Sequence, residues 1–403
     1  MLYLIYLQNS NLGRKFMDYT IRPKYHYTPK KGWVNDPNGL CYFKGYYHLF
    51  YQHAPHSEIP WNEAMCWGHA RTKDFITWEE LPVALTPDKP YDKNGVWSGT
   101  AIVKDDVLYV FYASVLSDKA KFDTQTVSVA YSVDGINFVK YENNPVIDHY
   151  PIDGSHNFRD PALVCVDETY YCVMATGHVE TKKARLVYYS SKDLLNWEYC
   201  GIMQEWDNGR YAECPSITYD GERLLVTCSV CYLDGRPHEF SATYGKLVNG
   251  KFVPEISTVP ERGPDQYAGQ VFRDEKGRNL FISWIPGWPY KGIANGKNAG
   301  TFSLPREIKL VNGKILSYPA EEVRHLLKDS DEDVKMTDDG FIVERGEVQI
   351  YKLDENGNAV KDYVSKRAPL VHKGKIRDIK ISKDAYVLEI FVNGGEVNYS
   401  ILL

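Results

Sequence analysis

Up to about residue 320, apolar residues in this chain fall in short strand-like runs bounded by polar turns, and helical periodicity is hard to find. Val107–Tyr112 and Tyr170–Met174 are runs of this kind. Three segments share one pattern: His69–Trp78, Ala130–Phe138 and Tyr188–Trp197. Each reads as a strand, then a polar turn whose Asp side chain can bond nearby backbone N–H groups, then an aromatic residue opening the next strand. The three aspartates, Asp74, Asp134 and Asp193, recur about every 60 residues, which makes one β-hairpin per repeat. Weaker hairpins near Gly245–Phe252 and Leu310–Leu316 extend the series. Short strands repeating at this period predict an all-β chain folded as a β-propeller, because such units bury their faces only against their neighbours. Roughly 300 residues divided at about 60 per unit predict five blades over 20–320.

The pattern changes at 321–403, where the charged run Lys328–Asp333 precedes strand-like segments ending in Val387–Val392. The run is expected to be a solvated linker. The tail is expected to form a small, shortened β-sandwich-like module packed beside the propeller. At the other end, residues 1–19 are expected to be an N-terminal extension. Met1–Leu7 is apolar but has no leading basic residue and no small-residue cleavage site, and Met17 is an equally reasonable initiator. No apolar run reaches the roughly 18 residues a membrane span needs, so no membrane partner is expected and a cytoplasmic, reduced protein is the simplest setting.

Composition narrows the function. At 43% hydrophobic and 25% charged residues the chain reads as globular. A formal net charge of -6 removes the clustered positive charge that nucleic-acid binding requires. The 31 Tyr and 9 Trp suit a β-sheet core first, and stacking on the apolar faces of sugars second. Of the eight cysteines only Cys228 and Cys231 lie close together, with no second pair or His pair to complete a zinc site, so neither a metal nor another cofactor is expected. No sequence feature specifies an oligomeric state.

Three strings carry candidate chemistry. Trp33–Gly39 contains Asn-Asp-Pro-Asn-Gly, a strong turn signal that places Asp36 at its centre. Asn157–Pro161 sets Arg159 beside Asp160, which read alone is also what a surface ion pair looks like. Tyr211–Pro215 holds Glu213 among small and apolar residues, where a carboxyl is either paired in the core or kept partly protonated for acid work. Spacing adds what the single strings lack. Propeller strands converge on one axis, so carboxylates separated by about one or two repeats can meet at a common funnel.

Together these strings resemble glycoside hydrolase family 32, the invertases, fructanases and sucrose-6-phosphate hydrolases, and the likeness extends over nearly the whole chain. Trp33–Leu40 resembles the family's nucleophile motif, Arg159-Asp160-Pro161 its middle motif and Glu213-Cys214 its acid/base motif. Secondary motifs agree: Phe50-Tyr51-Gln52, Trp67-Gly68-His69-Ala70, Trp97-Ser98-Gly99-Thr100, Tyr267-Ala268-Gly269-Gln270 and Leu304-Pro305-Arg306-Glu307. The resemblance implies a five-bladed propeller with a C-terminal sandwich and retaining release of terminal β-linked fructose from sucrose, sucrose 6-phosphate or short fructo-oligosaccharides. It implies Asp36 as nucleophile, Glu213 as general acid/base and Asp160 as the stabiliser of sugar hydroxyls. It further implies a substrate pocket drawn from Asn35, Gln52, Trp61, Trp97, Ser98, Arg159 and Tyr267, with a small-molecule sugar as the partner. A fructosyltransferase would use the same groups, and a non-catalytic sugar-binding propeller would have lost one of the three carboxylates. A phosphate on the substrate could be met by Lys30, Lys31, His56 or Arg71, none of which stands in a fixed motif.

Overall fold

The computed structural model describes residues 21–57, 63–116, 125–178, 180–285, 300–355 and 359–403; the expected extension 1–19 and Trp61 lie outside them. The described residues are almost wholly strand and turn, with one short 3-10 turn at Glu321–Leu326. Among them no helix is long and apolar enough to cross a membrane.

Up to Pro319 the chain forms consecutive antiparallel sheets, each built mainly from strands adjacent in sequence. The first contains Trp33–Phe43, Tyr46–Ala54, Cys66–Thr72 and Trp78–Leu85; the second Val96–Lys104, Val107–Val115, Gln125–Ser132 and Val139–Lys140. The third contains Arg159–Val166, Thr169–His178, Lys183–Ser191 and Glu198–Asp207; the fourth begins Gly209–Tyr219, Leu224–Tyr232, Glu239–Val248 and Lys251–Glu261. The fifth runs Tyr267–Arg273, Asn279–Ile285, Arg306–Val311 and Lys314–Pro319, with Thr301–Phe302 paired beside Asn279–Ile285.

The first strand of each sheet packs against the first strand of the next, and Tyr267–Arg273 packs in turn against Trp33–Phe43, which closes a ring. Burial follows this order. Trp33–Phe43 and Arg159–Val166 are almost entirely buried, whereas Trp78–Leu85 and Glu198–Asp207 are largely exposed or half-buried. The seam between the fifth and first sheets is sealed by Tyr27. Its carbonyl accepts the Phe302 N–H at 3.1 Å and the Thr301 hydroxyl at 2.9 Å, and its ring packs on Tyr51, Trp78 and Phe302.

The repeated turn is built as its composition requires. Asp74 Oδ1 accepts the N–H groups of Ile76 and Thr77 at 2.9 and 2.7 Å. Asp134 accepts those of Ile136 and Asn137 at 2.8 Å each, and Asp193 those of Leu195 and Asn196 at 2.9 and 2.8 Å. A hydroxyl two residues earlier, from Thr72, Ser132 or Ser191, bonds each carboxylate as well. The aromatic that follows, Trp78, Phe138 or Trp197, then packs into the junction with neighbouring strands.

The tail is all-β, and its last strands do more than pack alongside the ring. Ile379–Asp384, Val387–Val392 and Val397–Leu402 continue the fourth sheet through a parallel contact between Glu261 and Asn398. A buried ionic cluster fastens this junction. The fully buried Arg306 guanidinium reaches Glu261, Glu389 and, at 2.5 Å, the Ser400 hydroxyl. Glu389 Oε2 also accepts from His26 Nε2 at 2.9 Å and from the Leu304 N–H at 3.0 Å. His26 Nδ1 meets Asp384 at 3.0 Å, and Asp384 accepts the N–H groups of Lys24 and Tyr25. Burial alone depresses the basicity of His26, but hydrogen bonds to the two carboxylates outweigh it and raise the pKa to about 9.

Removing one partner of a buried pair leaves an uncompensated charge, so Glu389→Gln is expected to cost about 3–5 kcal/mol in urea unfolding. The His26 contribution has a definite sign with pH. Its folded-state pKa lies above its ordinary value of 6.5, so the stabilisation is full below pH 6.5 and is lost as pH rises through about 9. Melting temperatures across that interval should fall more steeply for the parent than for His26→Gln; parallel curves would remove the imidazolium from the cluster.

Candidate active site

Each first strand breaks its ladder with a bulge near its start. The irregularities fall between Val34 and Pro37, Val96 and Gly99, Arg159 and Ala162, Glu213 and Ser216, and Tyr267 and Gln270. An extra residue at such a point is released from the ladder and its side chain is re-aimed. Asp36, Ser98, Asp160, Cys214 and Ala268 all fall inside these irregularities, one per sheet, Asp36 and Ser98 as the second residue within the break and Asp160, Cys214 and Ala268 as the first. Asp160, Cys214 and Ala268 share a left-handed backbone, with φ of 59°, 48° and 54°. For non-glycine residues this conformation is strained, and it persists because the neighbouring strands are tied across the ring. Gln270 Nε2 donates to the Gly99 carbonyl at 3.1 Å, the Gly99 N–H to Asn38 Oδ1 at 3.2 Å and the Val271 N–H to Ser216 Oγ at 2.9 Å.

The bulges gather the acidic side chains. Ser98 Oγ donates to Asp36 Oδ2 at 2.6 Å, and Asp36 Oδ1 is buried without a hydrogen-bond partner among the described residues. Asp160 Oδ2 accepts the Cys214 N–H at 2.8 Å. Glu213 Oε1 receives Arg159 Nη2 at 2.6 Å and Nε at 3.2 Å, while the Tyr267 hydroxyl donates to Oε2. Arg159 Nη1 also reaches Gln125 Oε1 at 3.3 Å and Asn157 Oδ1 at 3.2 Å.

Two of the carboxyls are shifted upward. Burial pushes Asp36 up, the Ser98 hydroxyl opposes that rise, and the charge of Glu213 adds to it. Asp160 is raised to about 7, chiefly by burial; Arg159 pulls it down, and Asp36 and Glu213 push it back up. The same carboxylates, Glu213 first, overcome the desolvation of Arg159 and hold its guanidinium firmly protonated. Several carboxyl groups gathered at one funnel beside a guanidinium are what acid/base and nucleophilic chemistry on a sugar require.

Among the remaining pocket residues expected from the sequence, Ser98, Arg159 and Tyr267 touch the carboxylates directly. Asn35 is adjacent to Asp36, and its Oδ1 accepts from Trp33 Nε1 at 2.8 Å. Gln52 reaches the second sheet at the Val96 carbonyl, 3.1 Å away, and the half-buried Trp97 follows Val96 in that strand. Sequence reasoning missed Gln125, Asn157 and Cys231. Asn157 stands two residues before Arg159 in the same string, so strand alternation was an available signal. Cys231 lies opposite Tyr211 in the next strand, with its sulfur 3.1 Å from the Tyr267 hydroxyl; only the register reveals it.

The raised pKa of Asp160 carries a stability consequence opposite in sign to that of a salt-bridged carboxylate. Its folded-state value of about 7 exceeds its ordinary 3.8, so the folded protein is favoured at low pH and that advantage is lost as pH climbs from about 4 through 7. Asp160→Asn keeps an acceptor for the Cys214 N–H but carries no charge. Its stability relative to the parent should therefore improve between pH 4 and 8 by an amount on the order of 1–3 kcal/mol, read from urea unfolding at each pH. A difference independent of pH would show that Asp160 is not held in this state.

Comparison with known proteins agrees with the geometry. The model of the glycosyl hydrolases family 32 N-terminal domain matches residues 26–319. The sucrose-6-phosphate hydrolase of Zymomonas mobilis is 32% identical over 335 residues, which cover 78% of this chain and 65% of that protein, so the chain spans just under two thirds of that relative. The sucrose-6-phosphate hydrolase of Vibrio alginolyticus is 30% identical over 422 residues, covering 93% of this chain and 84% of the relative. Among solved structures, the β-fructofuranosidase of Bombyx mori superposes with a TM-score of 0.76 at 28% identity, over 96% of this chain and 90% of that one. The buried carboxylates on bulged inner strands, the ordered motifs and these matches lead to one conclusion: the chain belongs to glycoside hydrolase family 32.

Proposed function

We propose that this protein is a retaining β-fructofuranosidase that releases terminal β-linked fructose from sucrose-type substrates. On this reading residues 20–320 form a five-bladed β-propeller carrying the site, and 321–403 form a sandwich-like module that braces it. The five sheets closed into a ring by first-strand contacts support the blade count. The observation that carries the function is the meeting of Asp36, Asp160 and Glu213, from three different sheets, with Arg159 against Glu213 and Asp160.

Asp36 has one oxygen fixed by Ser98 and the other uncommitted, the arrangement a nucleophile needs to approach the anomeric carbon of a fructosyl unit. Glu213 is steered by Arg159 and the Tyr267 hydroxyl and donates its proton to the departing glycosidic oxygen. Cleavage of that bond leaves a fructosyl ester on Asp36. Glu213, now ionised, takes a proton from water as its oxygen attacks, and the ester bond to Asp36 breaks with retention at the anomeric carbon. Asp160 accepts hydrogen bonds from fructose hydroxyls, which strengthen as positive charge grows on the ring.

Two outcomes test the assignment. The fructose first released should carry the β configuration by NMR, and initial release of the α anomer would reject a retaining mechanism. General acid help is worth about 10²- to 10⁴-fold and matters most for a poor leaving group. Glu213→Ala should accordingly lose kcat/KM heavily on sucrose and far less on an activated aryl fructoside, whereas Asp36→Ala should lose both alike. Equal losses for Glu213→Ala would remove it as the acid, and rescue of Asp36→Ala by the better leaving group would remove it as the nucleophile.

A further inference from the structure

The two oxygens of Glu213 have different neighbours. Oε1 receives Arg159 Nη2 at 2.6 Å and Nε at 3.2 Å, so the proton that Glu213 delivers resides on Oε2, the oxygen to which the Tyr267 hydroxyl donates. That hydroxyl has a second neighbour. Cys231 Sγ lies 3.1 Å from it, so a hydrogen-bonded chain runs from the second strand of the fourth sheet through Tyr267 to the general acid. Register explains the approach: Cys231 pairs with Tyr211, and Glu213 follows Tyr211 by two residues on the same face of its strand. The Tyr267 ring packs at 86° to His238 with ring centres 4.5 Å apart, and His238 Nε2 is anchored on the Gln266 carbonyl at 2.6 Å. Burial pushes the Cys231 thiol up to about 12 and lifts the Tyr267 hydroxyl well above its ordinary value, so both keep their protons through the neutral range.

We infer that Cys231 is a positioning residue for the general acid: its S–H donates to the Tyr267 oxygen and thereby commits the one tyrosine proton to Glu213 Oε2. The inference rests on the fructosidase reading. Tyr267 can give its proton to one neighbour at a time. A carboxylate is a far better acceptor than a thiol sulfur, which leaves the thiol to satisfy the tyrosine oxygen as a donor. The bonds therefore run in one direction, from sulfur to tyrosine to glutamate, and each polarises the next. With Tyr267 on one side of Oε2, the proton of Glu213 is left on the other side, free to face the glycosidic oxygen. In the second half of the cycle the same donation stabilises the ionised carboxylate until it takes its proton from water. The charged and titratable groups around the chain are Arg159, Arg210, Tyr211 and His238, with Asp36 and Asp160 beyond Glu213. Among the described residues none of these is a hydrogen-bond partner of Cys231, so its substitution acts on Glu213 through Tyr267.

The experiment follows kcat/KM on sucrose against pH for the full-length protein and for Cys231→Ala, Cys231→Ser, Tyr267→Phe and the double variant that combines Cys231→Ala with Tyr267→Phe. Where the tyrosine no longer donates steadily, the ionised carboxylate is less stabilised and Glu213 keeps its proton to higher pH. The alkaline limb of the profile should therefore move upward by about half a pH unit to one unit in Cys231→Ala, and further in Tyr267→Phe. Cys231→Ser retains an O–H donor and should restore the limb to the parent's position. In the Tyr267→Phe background Cys231→Ala should displace the limb no further, because the chain is already broken at its middle. An alkaline limb unmoved in Cys231→Ala, a serine variant displaced as far as the alanine one, or additive displacements in the double variant overturns the inference, while the parent's hydrolysis of sucrose leaves the fructosidase reading intact. A parent that does not hydrolyse sucrose defeats that reading and the inference with it.

Discussion

Three neighbouring carboxyl groups, two of them buried, with a single guanidinium against one of them form the constraint from which the rest of the site follows. Burial penalises the charges of Asp36 and Asp160, the neighbouring carboxylates push both further, and Arg159 opposes the rise at Asp160. The cluster cannot hold all its charges cheaply, so protons distribute unevenly over it. Asp160 is pushed to the middle of the physiological range. Asp36, given one strong donor in Ser98, keeps an oxygen free for a reacting atom. The arginine that makes the cluster tolerable also fixes the orientation of Glu213, so charge compensation and positioning are properties of the same contact.

Such a cluster is unstable in isolation and demands a rigid frame. The ring supplies one by tying its inner strands sideways at the bulges and by sealing its seam with Tyr27. A second buried ionic group works on the frame itself. Arg306 sits in the Leu304–Glu307 motif and draws Glu261 from the fourth sheet, Glu389 from the tail and, through Glu389, His26 from the N-terminal segment. Each of these segments is distant in sequence, and the last strands of the tail become part of the fourth sheet as a result. The tail thus bears on the site through the strand order of the ring, and none of its described residues contacts the carboxylates.

Local features were legible in the sequence, and long-range ones were legible only through periodicity. The aspartate turns at Asp74, Asp134 and Asp193 could be read because each is satisfied within three residues by its own backbone. The meeting of Asp36, Asp160 and Glu213 could be expected because a repeat places equivalent strands on one axis. The Ser98 contact came within reach only through the resemblance of its motif, since a serine has no distinctive pattern. The closeness of Cys231 to Tyr267, the grip of Gln125 on Arg159 and the parallel contact of Glu261 with Asn398 depend on register between segments whose order along the chain says nothing of their pairing.

A symmetric frame with unlike residues at its equivalent points explains how one fold houses several roles. The bulge recurs in every sheet of the ring, and at the corresponding place stand Asp36, Ser98, Asp160, Cys214 and Ala268. Were all of these acidic, the like-charge penalty would exceed what one guanidinium could offset. The second sheet instead contributes a neutral donor to its neighbour's carboxylate, and the fourth contributes a backbone N–H at Cys214 while displacing its carboxyl by one residue, to Glu213. That one-residue displacement aims Glu213 at Arg159 and Tyr267 and leaves the Cys214 N–H for Asp160. The geometry is repeated and the chemistry is not, and it is the departures from the repeat that divide nucleophile, stabiliser and proton donor among otherwise equivalent strands.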